Sequence, residues 1–113
     1  MPTDLRRAAT IARLNEEFRF TGRGGQMFMT AGVAALPPAT QRLIMDTVQM
    51  PGEFGPDNDP YFEGDFQAMT VHGHRIFWKI DYYPPDDDPS RDPDPADPAA
   101  VKRVLTIMLA EEY

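Results

Sequence analysis

The residues most able to do chemistry lie between Glu53 and Asp65, where five carboxylates follow one another with no Lys or Arg among them. Carboxylates at this density can hold a divalent cation. A calcium loop of the helix-loop-helix kind needs acids at positions 1, 3 and 5 and a Gly at 6. Counted from Asp57, position 3 is Asp59, but position 5 is Tyr61 and position 6 is Phe62, so the motif fails. A restriction-type nuclease needs a Pro-Asp, then an acid two residues before a Lys on a strand. Pro56-Asp57 is present, yet the residue two before Lys79 is Phe77, which cannot hold Mg²⁺. Asp57, Asn58 and Asp59 read instead as turn formers ahead of a strand. His72 and His74 flank Gly73 and could act as acid and base near neutral pH. At a hairpin tip, solvated histidines are the plainer reading. Thr21 to Gly25, TGRGG, lacks the Gly-Lys-Ser/Thr ending of a phosphate loop and reads as a helix end.

A second acidic stretch, PPDDDPSRDPDPADP at 84–98, sets Asp86, Asp87, Asp88, Asp92, Asp94 and Asp97 against Arg91 alone. Carboxylates along a Pro-stiffened segment can imitate a phosphate backbone and occupy a basic groove. Tyr82 and Tyr83 precede the stretch, and Tyr is enriched at interface hot spots. The partner-binding set expected from sequence is therefore Tyr82, Tyr83, Asp86, Asp87, Asp88, Asp92 and Asp94. No catalytic residue, metal ligand or cofactor is assigned.

These segments need elements to position them. The chain has 113 residues and suits a single domain, 1–113, with the Asp/Pro loop projecting from it. Residues 4–18 read as a helix, with Ala8, Ile11, Leu14 or Asn15, and Phe18 on one side. A short strand follows at 26–30, and Ala31-Gly32 turns the chain. A second helix starts at Pro37-Pro38 and runs to Gln49 before Pro51-Gly52 stops it. Phe66–Val71 and Arg75–Tyr82 form a hairpin around His72–His74. Ile76, Trp78, Ile80 and Tyr82 share one face; Phe77, Lys79, Asp81 and Tyr83 share the other. Asp81 calls for a partner such as Arg75, Arg103 or a backbone N–H. The end of the chain reads as a helical turn at 98–102 and a strand at 103–109, with a third helix as the alternative. The architecture expected is α+β: two helices packed on one face of a roughly four-stranded antiparallel sheet with a central β-hairpin.

Net charge is −7, concentrated in the two acidic stretches, while the remainder is mildly basic. That balance disfavours nucleic acid and favours a protein partner with a basic surface. There is no Cys, which removes disulfides and thiol chemistry. No apolar run approaches the ~20 residues of a membrane span, and the N-terminal residues lack a signal-peptide core. A cytoplasmic protein outside the membrane is expected.

NDPY (58–61), Asp65-Phe66, WKIDYY (78–83), DPADP (94–98), RVLTIMLAEEY (103–113) and TAGVAAL (30–36) together resemble a family of small bacterial proteins known only as a domain of unknown function. The resemblance covers roughly residues 20–113. It implies no assigned activity, and it implies a setting on plasmids and integrative elements near conjugation and anti-restriction genes. The family pattern often carries a His between the Glu and Asp of the Asp-Phe motif and a Gly after its Phe. Here those positions are Gly64 and Gln67. A role that survives loss of that His is structural or interfacial. The resulting expectation is a non-enzymatic accessory protein of mobile genetic elements that binds another protein through its acidic loops, an inhibitor of a host defence or DNA-processing factor being the most concrete version. A small hydrolase or nuclease using Asp65, His72, His74 or Asp81 is the alternative, with a homo-oligomeric module (a homodimer by edge-strand pairing) beside it.

Overall fold

The computed structural model describes residues 3–50, 63–86, 88 and 90–113. Its elements are helix α1 (Thr3–Thr21), strand β1 (Gly25–Met29), the short helix α2 (Ala31–Ala34), helix α3 (Pro38–Val48), strands β2 (Phe66–Val71) and β3 (His74–Tyr83), a 3-10 turn (Pro98–Ala100), strand β4 (Lys102–Leu109) and a final 3-10 turn (Ala110–Glu112). The class is α+β as the sequence indicates. Two details differ. Among the described residues the α-helices number three, because residues 31–34 make a full turn of α-helix rather than a bend. The sheet is mixed, in the order β1-β4-β3-β2. β1 runs parallel to β4, with Gly25 opposite Arg103 and Met29 opposite Ile107.

The mixed sheet has a topological cause. Tight turns force antiparallel neighbours, and only β2 and β3 are joined by one. Between β1 and β4 lie two helices and the whole hairpin, so nothing local dictates their direction. The hairpin consequently sits at one side of the sheet, with β2 as an edge, and β4 takes an inner place. β4 suits that place. Arg103, Leu105 and Ile107 are buried on its inner side, and Met108 is buried on the other. Apolar residues on both faces mark an interior strand. The alternative of a third long helix at the C-terminus is excluded by this strand.

The hairpin turns through His72 at φ 49° and Gly73 at φ 80°. Two successive positive φ values define the turn whose twist matches the flanking strands. His72 Nδ1 lies 2.8 Å from the hydroxyl of buried Thr40, which ties the tip to α3. Gly25 is required for a different reason. A Cβ there would stand 1.9 Å from the Arg103 carbonyl oxygen, so the β1–β4 contact admits no side chain.

The helices lie on one face of the sheet. Phe18 from α1, Val33 from α2, and Ile44 and Val48 from α3 join Ile76, Trp78, Ile80, Leu105 and Ile107 in one core. The inward set of β3 is the one read from alternation. In α1 the ambiguity between positions 14 and 15 resolves to Asn15, which is fully buried, while Leu14 is half-exposed. The opposite face of the sheet carries an aromatic triangle. Phe66 and Phe77 lie 5.3 Å apart, and Tyr113 meets both edge-on at 5.9 and 5.6 Å. Phe28 and Tyr83, also on that face, are half-exposed.

Glu112 closes the chain onto α2. Its carboxylate accepts from Thr30 Oγ1 at 2.6 Å, from Leu109 N at 2.8 Å and from Gly32 N at 3.2 Å. A carboxylate over the first turn of a helix serves as its cap. The Thr30 hydroxyl, then the Leu109 and Gly32 amides, hold its pKa below the ordinary Glu range. A depressed folded-state pKa stabilises above the unfolded value and stops doing so as pH falls through the folded one. The melting temperature is therefore expected to drop between about pH 5 and pH 3. Glu112→Gln is expected to flatten that drop and Glu111→Gln to leave it intact. Melting curves by circular dichroism across this range would check both; equal slopes in the two variants would show the clip to be inert.

Candidate functional site

Two polar assemblies meet where the end of β3, the start of β4 and α1 come together. The first is internal. Asn15 on α1 and Arg103 on β4 are both buried. Arg103 Nε donates to Asn15 Oδ1, and its Nη2 donates to the Pro95 carbonyl. Asn15 Nδ2 donates to the Glu63 carbonyl and to Tyr82 Oη, each at 2.9 Å. Tyr82 Oη in turn donates to Asp65 Oδ2 at 3.2 Å. The Arg103 guanidinium stands 5.6 Å over the Tyr82 ring. A chain of donors thus runs from a cation through an amide and a phenol to a carboxylate. Burial, opposed by the Asn15 bond, pushes the Tyr82 hydroxyl well above the ordinary phenol range, so it stays protonated and donates. Tyr82 accordingly faces inward, with its hydroxyl committed to this chain.

The second assembly is the Asp/Pro loop, and much of its acidity is tied down internally. Asp88 accepts from Ser90 N at 2.9 Å and Ser90 Oγ at 2.7 Å. Asp94 accepts from Ala96 N at 3.1 Å, and Asp97 from Ala99 N at 3.0 Å. These are side-chain-to-backbone turns of the kind Asp favours. Asp94 also meets Arg7 of α1 at 2.8 Å, and Asp86 meets Arg91 at 3.2 Å. The backbone amide of Ser90 and then its hydroxyl lower the Asp88 pKa; the Ala96 amide and then Arg7 lower that of Asp94. Asp92 is exposed and makes no such bond among the described residues, and Tyr83 is exposed beside the loop. Asp87, together with Glu53, Asp57 and Asp59 of the first acidic stretch, lies outside the described residues.

The hydrolytic set is not gathered. Asp65 lies at the far end of the hairpin, where its carbonyl accepts from Ile80 N at 2.8 Å. His72 and His74 are at the tip, six strand residues away, roughly 20 Å at the rise of a strand. Asp81 points to the opposite face from Tyr82 and pairs with Lys79 at 2.9 Å, rather than with Arg75, Arg103 or a backbone amide. Among the described residues no three His, Asp or Glu side chains converge as a metal set. No described helix is long and apolar enough to cross a membrane.

Sequence reasoning missed Asn15 and Arg103 as a pair and Arg19 altogether. The signals were present. Asn15 stands where the 8, 11, 15, 18 spacing demands an inward residue, and Arg103 is in phase with Leu105 and Ile107. A polar residue in an apolar phase calls for a buried partner.

The model of the family described as Protein of unknown function (DUF3768) matches residues 29–112, and the chain belongs to that family. The match takes in everything from the end of β1 through Glu112 and leaves α1 outside it. No curated protein and no solved structure matches the chain.

Proposed function

We propose that the chain is a non-enzymatic accessory protein of mobile genetic elements that binds another protein through its Asp/Pro loop, and that the partner is a host defence or DNA-processing factor with a basic surface. The observation that carries this reading is the bracing of the loop. Arg7 holds Asp94, Arg103 holds Pro95, and four aspartates close their own turns. Described residues held in one shape by such contacts lose little entropy on docking. Charge remaining for a partner then sits at Asp92 and at Asp86, whose bridge to Arg91 is exposed. Tyr83 supplies an adjacent aromatic anchor. Tyr82 and Asp94 act from beneath as positioning residues. The mobile-element setting rests on the family resemblance.

The test is capture from a bacterial lysate followed by a binding titration with the protein recovered. Replacing Asp86, Asp87 and Asp92 with Ser is expected to weaken binding by at least about tenfold, roughly 1.4 kcal/mol, and to flatten its salt dependence. Unchanged affinity and an unchanged salt slope in this variant would remove the acidic-loop reading.

A homodimer has one observation of its own. β1 is an edge strand, and exposed Phe28 lies on it. Light scattering over a concentration series distinguishes a self-associating chain from one that binds only a foreign partner.

A further inference from the structure

A cavity of about 280 Å³ opens between the end of α1, the start of β1 and the Pro98 turn, with Leu14, Phe18 and Pro98 as apolar walls. Arg103 forms its floor and is only 3% exposed. The environment of that guanidinium is unusual. Its hydrogen-bond acceptors and the ring beneath it, among the described residues, are all uncharged: the Asn15 amide, the Pro95 carbonyl and the Tyr82 ring. Arg103 takes part in no ion pair among the described residues, and the one carboxylate in its chain of bonds, Asp65, is two side chains away. Nε and Nη2 are used, while Nη1 has no hydrogen-bond partner among the described residues. Burial lowers the Arg103 pKa, yet a guanidinium stays charged in proteins. A buried cation without a counter-ion is costly, and an anion arriving at Nη1 would relieve that cost.

The other charges of the cavity lean the same way. Glu17, its one acid, is engaged by Arg13 at 3.1 Å. Arg23 at the exposed rim makes no side-chain ion pair among the described residues. The balance therefore favours an anion, and the walls favour an apolar body attached to it.

We propose that this cavity binds a small molecule joining a carboxylate or phosphate group to an apolar part, with the oxyanion between Arg103 Nη1 and Arg23 and the apolar part against Leu14, Phe18 and Pro98. The site is independent of the partner surface, although Pro95 and Pro98 belong to the same loop, so occupancy would stiffen the base of that loop.

Benzoate and phenyl phosphate test the two oxyanions, and benzyl alcohol supplies the ring without the charge. Each is titrated into the full chain at ionic strength held constant with chloride, followed by the Arg side-chain N–H signals in NMR and by calorimetry. Saturable binding of either aromatic anion, moving the Arg103 signals and weakened at least about fivefold by Arg23→Gln, is the expected result. Which anion saturates names the oxyanion class. No saturable binding by either anion, equal binding of benzyl alcohol, or undiminished binding in Arg23→Gln overturns the proposal. Arg103→Gln is a second variant, expected to abolish the anion's advantage over the alcohol; should it fail to fold, Arg23→Gln carries the test alone.

Discussion

Replacing Trp78 with alanine is expected to lower the unfolding free energy by about 3–5 kcal/mol. Trp78 is fully buried at the centre of β3, with Gln67 opposite it on β2 and Ile107 opposite it on β4. It faces the helices, and its ring underlies the Arg19 guanidinium at 4.9 Å. Truncation removes the largest apolar side chain of the core and leaves a cavity that two sheet neighbours and a helix cannot jointly fill. A domain of this kind has a total stability of roughly 5–15 kcal/mol, so the variant would stand near the folding threshold. Urea denaturation followed by far-ultraviolet circular dichroism would measure the effect. Trp78 is the only Trp in the chain, which makes it a fluorescence probe of the native core as well. A variant whose midpoint matches the parent would show that the ring is not packed as described.

The second large effect concerns Arg19. This residue is 2% exposed near the end of α1, and it reaches across to the end of α3. Its Nη1 donates to the carbonyls of Val48 at 3.2 Å and Met50 at 3.3 Å. Those carbonyls lie at and just beyond the last turn of α3, where a helix leaves acceptors unfilled and a cation is favoured. One guanidinium thus terminates one helix, belongs to another and stacks on the central Trp. Arg19→Ala is expected to cost about 2–4 kcal/mol, combining the lost donors, the lost stem packing and the lost cation–π contact. Arg19→Lys should recover only part of this, because an ammonium offers neither the planar stack nor the fork. Since Arg19 and Trp78 touch, their effects should not add. A double-mutant cycle is expected to return a coupling of about 1 kcal/mol, whereas additive losses would mean that the stack contributes nothing.

Much of the fold was legible in short-range pattern. The β2–β3 hairpin followed from alternation around a Gly-centred turn, and Ile76, Trp78 and Ile80 were assigned inward correctly. The helix over 38–48 and the strand over 102–109 were also readable, the latter because β-branched residues outweighed the Asp97-Pro98 helix start. That start survives as a single turn, capped by Asp97. What pattern could not convey was long-range. The direction of β1 depends on a partner some eighty residues downstream, and α2 is too short to show periodicity. Of the expected partner-binding residues, the sequence placed Tyr82 and Tyr83 on opposite faces, as the structure does. It could not show that the Tyr82 hydroxyl is engaged inside or that Asp94 is held by Arg7. The buried arginines were hidden by their charge: Arg is ordinarily a surface residue, and only the apolar phase of its neighbours reveals otherwise.

The strand order bears on how the chain is made. β4 is the last strand in sequence and an inner strand in space, flanked by β1 and β3. Until Leu109 has been synthesised, the hairpin and β1 have no common neighbour, and each presents an unpaired edge. Pairings this distant form late, and exposed edges invite association with other chains while they wait. Chains cut short between residues 84 and 101 would keep three of the four strands yet lack the one that joins them, and they would be substrates for chaperones and proteases rather than partial versions of the working protein.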